Sequence, residues 1–244
     1  MAFFNFATVF FLVFTSLTAY SSLKKKPIKH SDIKSNELVA FCDSAGYTDA
    51  LKLFININIS ARMSAAAAQK EAVTQTAFIA LIEMYTHLLY QNEIDSTDLK
   101  QLTQIYKTPY GQIYARVMSA TYPYAAFEKA ILLEEVKMTE NKLEINLLKK
   151  SFIVTKFRDV EDISIVNIRK KHQREVTPEQ IEESFENLVK ANAVALTKEG
   201  LTNSNLKKFV KQIDRPRYRK IYTLLNNPLT FEEFMTAYID NTSR

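Results

Sequence analysis

Glycine, proline and cysteine are scarce in these 244 residues, with 3 Gly, 6 Pro and 1 Cys, and there is no tryptophan. A β-sandwich or barrel of this length needs a turn about every 8–12 residues, so the shortage of turn formers predicts an all-α fold. Cys42 is alone, which excludes an intramolecular disulfide and a cysteine zinc site and leaves a buried thiol as the expectation. His30, His87 and His172 are scattered, and none has a second His or Cys at ligand spacing, so no metal is expected. His87 falls on an apolar helical stripe and is expected as a half-buried, hydrogen-bonded histidine. Gly46, Gly111 and Gly200 stand apart from one another, so there is neither a phosphate-cradling loop nor a nucleophile elbow. The adjacent carboxylates Glu134-Glu135 and Glu182-Glu183 diverge by about 100° on a helix, which suits solvated faces better than acid–base work. A non-enzymatic chain without cofactors is the expectation.

What remains is ordinary for a folded chain: 47% hydrophobic and 24% charged residues, with a net charge of +5. The first 22 residues carry no charged side chain, and Ala19-Tyr20-Ser21 fits the small-x-small pattern of signal cleavage. Residues 1–21 are therefore predicted to be a signal peptide, with a periplasmic destination. The competing expectation is a membrane anchor over residues 2–19, because Lys24-Lys25-Lys26 follows the apolar run at once. Residues 22–33 read as a basic linker.

Helical period then dominates. Glu37 to Ala45 stops at Gly46, Thr48-Asp49 restarts the chain, and Leu51, Phe54, Ile55 and Ile59 share one helical face. Ala72 to Tyr90 is a long amphipathic helix, followed by Asp95 as a cap with Asp98 in the capping-box place. Thr108-Pro109 makes a helix-to-helix corner, and Arg215-Pro216 a second one. Thr177 to Gln180 is a strong helix start, and Thr230 with Glu233 is predicted to cap the last helix. "SFIVTKF" (151–157) and "ISIVNI" (163–168) are β-branched enough to stay open between helix and strand.

Sliding the chain by 107 residues (216 minus 109) aligns the two proline corners and the caps Asp95 and Thr202 without a gap. Phe78, Leu81, Ile82 and Leu89 then meet Phe185, Leu188, Val189 and Leu196. The expected architecture is an antiparallel helical bundle of two tandem modules, 34–136 and 137–244. The stretch Phe78 to Val117, with Asp95, Asp98, Leu99, Tyr106, Thr108, Pro109 and Gly111 in its key places, resembles the bacterial family called domain of unknown function 2059. That resemblance implies an exported helical domain and no particular reaction; the second copy departs from it, with Tyr218 in place of the glycine.

Lys207, Lys208, Lys211, Arg215, Arg217, Arg219 and Lys220 place seven cations in fourteen residues, and Arg169 to Arg174 forms a second basic run. The first cluster is the expected binding face, for a protein partner or an anionic lipid surface; nucleic acid is not expected in an exported chain. The alternative is a small-ligand carrier with a groove at Tyr106, Tyr110, Gly111 and Tyr114, within a tyrosine cluster that continues to Tyr122 and Tyr124.

Overall fold

In the computed structural model, α1 (Ser35–Ala45) ends where its sequence says it should, at Gly46 with φ 77° in the left-handed region. A Cβ there would come within 2.3 Å of the Ser119 Cβ, so the position needs glycine for space as well as for backbone angle. The structure describes residues 34–62, 67–119, 130, 132 and 141–242, all within one compact unit, Asp32–Arg244; the signal and linker expectations lie outside them.

Every described element is helical, and no strand occurs among the described residues. After α1 come α2 (Tyr47–Arg62), α3 (Ala67–Gln91), α4 (Ser96–Tyr106) and α5 (Pro109–Ser119). The remainder is α6 (Ile145–Val154), α7 (Phe157–Lys171), α8 (Pro178–Lys198), α9 (Asn203–Ile213), α10 (Pro216–Leu225) and α11 (Pro228–Thr242). The two segments left open between helix and strand are helices α6 and α7. Leu148, Phe152, Ile165 and Ile168 are buried at helical spacing, and burial on one face decides where β-branched content does not.

The caps follow local chemistry. The Asp95 carboxylate accepts from the Asp98 amide at 2.9 Å, and the Thr177 and Gln180 side chains close a reciprocal capping box. The last helix begins at Pro228, three residues earlier than a Thr230 cap predicts, and the Asn227 side chain accepts from the Leu229 amide at 3.1 Å.

At the first corner Thr108 Oγ1 donates to Ile105 O at 2.6 Å and accepts from the Gly111 amide at 3.2 Å, bridging the end of α4 to the start of α5. At the second, Arg215 is extended (φ −118°, ψ 144°), as a residue before proline should be. Gly111 does not make room for tyrosine side chains. A Cβ there would lie 2.3 Å from Ile105 O and 2.8 Å from Tyr106 Cα, so the glycine lets two backbones meet. With Tyr218 at the matching place, α10 swings away and packs on α3 and α4.

Helices α3 and α8 end 107 residues apart, α4 and α9 both start and end 107 apart, and α5 and α10 start 107 apart. Packing repeats likewise: α1 lies on α4 and α6 on α9, while α2 lies on α3 and α7 on α8. Tyr106 near the end of α4 meets Phe209 in mid α9, and Asp98 near the start of α4 meets Arg217 past the end of α9. Around them α5 packs on α1 and α4 as well as on α8, whereas α10 packs on α3 and α4.

Candidate functional site

The cationic face follows from the 3.6-residue period of two short helices. On α9, Leu206, Phe209, Val210 and Ile213 turn inward, which leaves Lys207, Lys208 and Lys211 exposed. On α10, Tyr218, Ile221, Tyr222 and Leu225 turn inward and Arg217, Arg219 and Lys220 outward, with Arg215 exposed at the corner. All seven residues predicted for the face are thus brought to the surface.

Their roles divide. Arg217 Nη1 lies 3.0 Å from Asp98 Oδ2 and 3.3 Å from Asp95 Oδ2, tying α10 to the start of α4. Its bond to Asp98, first, and the charges of Asp98 and Asp95 hold the guanidinium further above its ordinary range. Arg219 Nε donates to Asp214 Oδ1 at 2.6 Å, and Lys150 Nζ lies 2.9 Å from Asp214 Oδ2. Burial pushes the Asp214 carboxyl up, but Lys150 and Arg219 outweigh it and hold it below the usual carboxylate range. Lys208 Nζ sits 5.5 Å over the Tyr110 ring and the Arg215 guanidinium 5.5 Å over that of Tyr218. Lys207, Lys211 and Lys220 are exposed and make no ion pair or hydrogen bond among the described residues. Two of the seven cations therefore serve the fold and five present charge.

The tyrosines expected to line a groove are core residues. Tyr106, Tyr110 and Tyr114 are 1%, 9% and 0% exposed, and the Phe209 ring lies 5.3, 6.4 and 4.5 Å from their rings. Their hydroxyls reach across the molecule: Tyr106 to Tyr222 at 3.1 Å, Tyr110 to Gln212 at 2.8 Å, and Tyr114 to Ser151 at 2.9 Å. Tyr218 mirrors Tyr110, donating to Gln101 at 2.9 Å. Burial pushes the Tyr106 and Tyr222 phenols well up and the Tyr114 phenol to about 12, so none exchanges protons near neutrality. Tyr122 and Tyr124 lie outside the described residues.

In the second basic run Arg169 is buried, whereas residues 170–174 are exposed. Arg169 is 3% exposed, and its Nε donates to Glu175 O at 2.6 Å and its Nη1 to Ser184 Oγ at 3.1 Å, closing the α7–α8 turn. His87 is half-buried and its Nε2 lies 2.8 Å from the Gln91 side chain. Glu182 is exposed and paired with Arg158 at 2.8 Å, while Glu134 and Glu135 lie outside the described residues. Burial pushes the Cys42 thiol up, leaving it an unreactive core residue.

Sequence reasoning missed that Asp95, Asp98 and Gln101 anchor this face from α4 and its cap, and that Gln212 on α9 holds Tyr110 of α5. Asp98 and Arg217 are 119 residues apart in the chain, and no local pattern joins them. Among the described residues no cluster of three or more His, Cys, Asp or Glu is placed to hold a metal ion, and no helix is long and apolar enough to cross a membrane. No family model, no curated protein and no solved structure matches the chain.

Proposed function

We propose that this is an exported, non-enzymatic helical protein that binds an acidic protein partner through the face formed by Lys207, Lys208, Lys211, Arg215 and Lys220. The observation that carries the reading is the division among the seven cations. Arg217 and Arg219 are held by carboxylates, while the other five stand exposed on α9, α10 and the corner between them. Cations fixed on tyrosine rings lose little freedom when an anion arrives, which favours binding. None of the exposed large apolar side chains lies on α9 or α10, and a membrane-seeking surface ordinarily adds such residues to its charge. An acidic protein surface therefore fits this face better than lipid. Export rests on the uncharged apolar segment ahead of Ser21.

In the same reading the chain is two copies of a five-helix module, α1–α5 and α6–α10, with α11 appended. The offset of 107 shared by the ends of α3 and α8, both ends of α4 and α9 and the starts of α5 and α10 supports it, while α1 and α2 stand 109–110 residues ahead of α6 and α7.

The test is cross-linking in the native host followed by salt-graded recovery, using the parent and a Lys207→Gln/Lys211→Gln/Lys220→Gln variant. An acidic protein should be linked to α9 and α10, and the variant should lose it at roughly tenfold lower affinity, more so at low salt. Recovery of the same partner by both proteins at equal salt would overturn the reading. Capture of anionic lipid alone would transfer the face to membrane binding.

A further inference from the structure

A second polar surface lies between α2 and α3, apart from the cationic face. Residues 52, 56 and 60 of α2 are Lys, Asn and Ser, and residues 70 and 74 of α3 are Lys and Thr, a four-residue spacing that puts each set on one helix stripe. The two stripes, together with Leu53 and Glu71, line an open cleft of about 540 Å³. Helices packing in a core would place apolar residues along such stripes, as Ile55 and Ile59 do on another side of α2.

Thr74 points to a ligand. Helical threonines here ordinarily bond the carbonyl four residues back: Thr76 to Ala72 at 3.0 Å, Thr86 to Ile82 at 2.8 Å, Thr103 to Leu99 at 2.7 Å and Thr223 to Arg219 at 2.9 Å. Thr74 is 9% exposed, lines the cleft, and its hydroxyl has no partner. A buried hydroxyl without a partner is costly, and an acceptor arriving in the cleft would relieve it. Lys52 Nζ is held 5.0 Å over the Phe78 ring, one turn beyond Thr74 on the same stripe of α3. Neither Lys52 nor Lys70 makes an ion pair among the described residues.

We propose that this cleft binds a phosphodiester, and that the diester is the headgroup of an anionic lipid. Two lysines and one glutamate leave the lining one positive charge, which matches a singly charged diester better than a doubly charged phosphate. The Thr74 hydroxyl and the Asn56 and Ser60 side chains supply neutral hydrogen bonds, and Glu71 can accept from a headgroup hydroxyl. Beside the cleft, Leu53 and Ile57 stand 51% and 52% exposed one turn apart, and Phe54 is 46% exposed between them. Apolar side chains next to a diester site fit the acyl region of the same ligand.

The experiment is calorimetric titration of the full chain with monomeric dihexanoylphosphatidylglycerol and, separately, with inorganic phosphate. Saturable lipid binding is expected, weakened roughly tenfold or more in Lys52→Gln/Lys70→Gln, because each lost contact is a charge-assisted one. Thr74→Val keeps the shape and should weaken binding several-fold. Leu53→Ser should weaken the lipid alone. Lys207→Gln/Lys211→Gln/Lys220→Gln should bind the lipid unchanged, which separates this site from the cationic face. Absence of saturable binding to the parent protein would overturn the proposal, as would unchanged affinity in Lys52→Gln/Lys70→Gln with helicity intact. Inorganic phosphate binding as tightly as the lipid, with Leu53→Ser without effect, would overturn the assignment to lipid.

Discussion

Gly111 and Gly200 show how differently one residue type is used. Gly200 has φ +86° and open space around it, so an alanine there meets only backbone strain, costing about 1 kcal/mol. Gly111→Ala would drive a Cβ into Ile105 O and the Tyr106 backbone, forcing α4 and α5 apart, and should cost more than about 2 kcal/mol. Denaturant unfolding of the two variants compares them directly; equal losses would contradict the close-approach role of Gly111. Glu161 on α7 makes a pH prediction. Its Oε2 is enclosed without a partner although the residue keeps some surface in water; burial first and Asp162 second push its carboxyl up to about 8. An unfolded glutamate titrates at about 4.3, so between these values the folded chain holds a proton that the unfolded chain has released. Stability should therefore fall as pH rises through that window, and Glu161→Gln should flatten the fall. Melting temperatures at pH 5.5 and pH 7.5 check this; an equal pH trend in parent and variant would remove Glu161 as the cause.

At the scale of elements, starts and stops were legible wherever one side chain decides them. Gly46 ends α1, Asp95 starts α4 and Thr177 starts α8 because each satisfies the orphaned backbone groups at a helix end. The stretches 151–157 and 163–168 were not legible, since their β-branched content suits either structure locally and only burial against other helices selects α. The face was half legible. Exposure of its seven cations follows from period, but which of them are neutralised depends on carboxylates such as Asp98, brought in from 119 residues away. The burial of Arg169 was not legible for the same reason, its partners being a carbonyl and a hydroxyl across a turn. The Thr108 corner gives a prediction at this scale. Thr108→Val removes both the bond to Ile105 O and the acceptor for the Gly111 amide, and should cost about 1–2 kcal/mol in chemical denaturation. A loss indistinguishable from zero would show that proline alone sets the corner.

For the whole molecule, the packing of α5 on α8 and of α10 on α3 and α4 joins the two runs of helices in one core. Separate fragments 34–140 and 141–244 should each lack a cooperative melt, and mixing them should restore one; a cooperative melt from either fragment alone would contradict the shared core. That shared core seats the buried sides of α9 and α10, and in the proposed function their exposed cations form the binding face. The most direct test of that face is titration of poly-L-glutamate, a mimic of an acidic protein surface, into the parent and into Lys207→Gln/Lys211→Gln/Lys220→Gln at low and high salt. The parent should bind at low salt and weaken steeply as salt rises, and the variant should bind roughly tenfold less tightly with a shallower salt dependence. Equal affinity and equal salt dependence in the two proteins would contradict it.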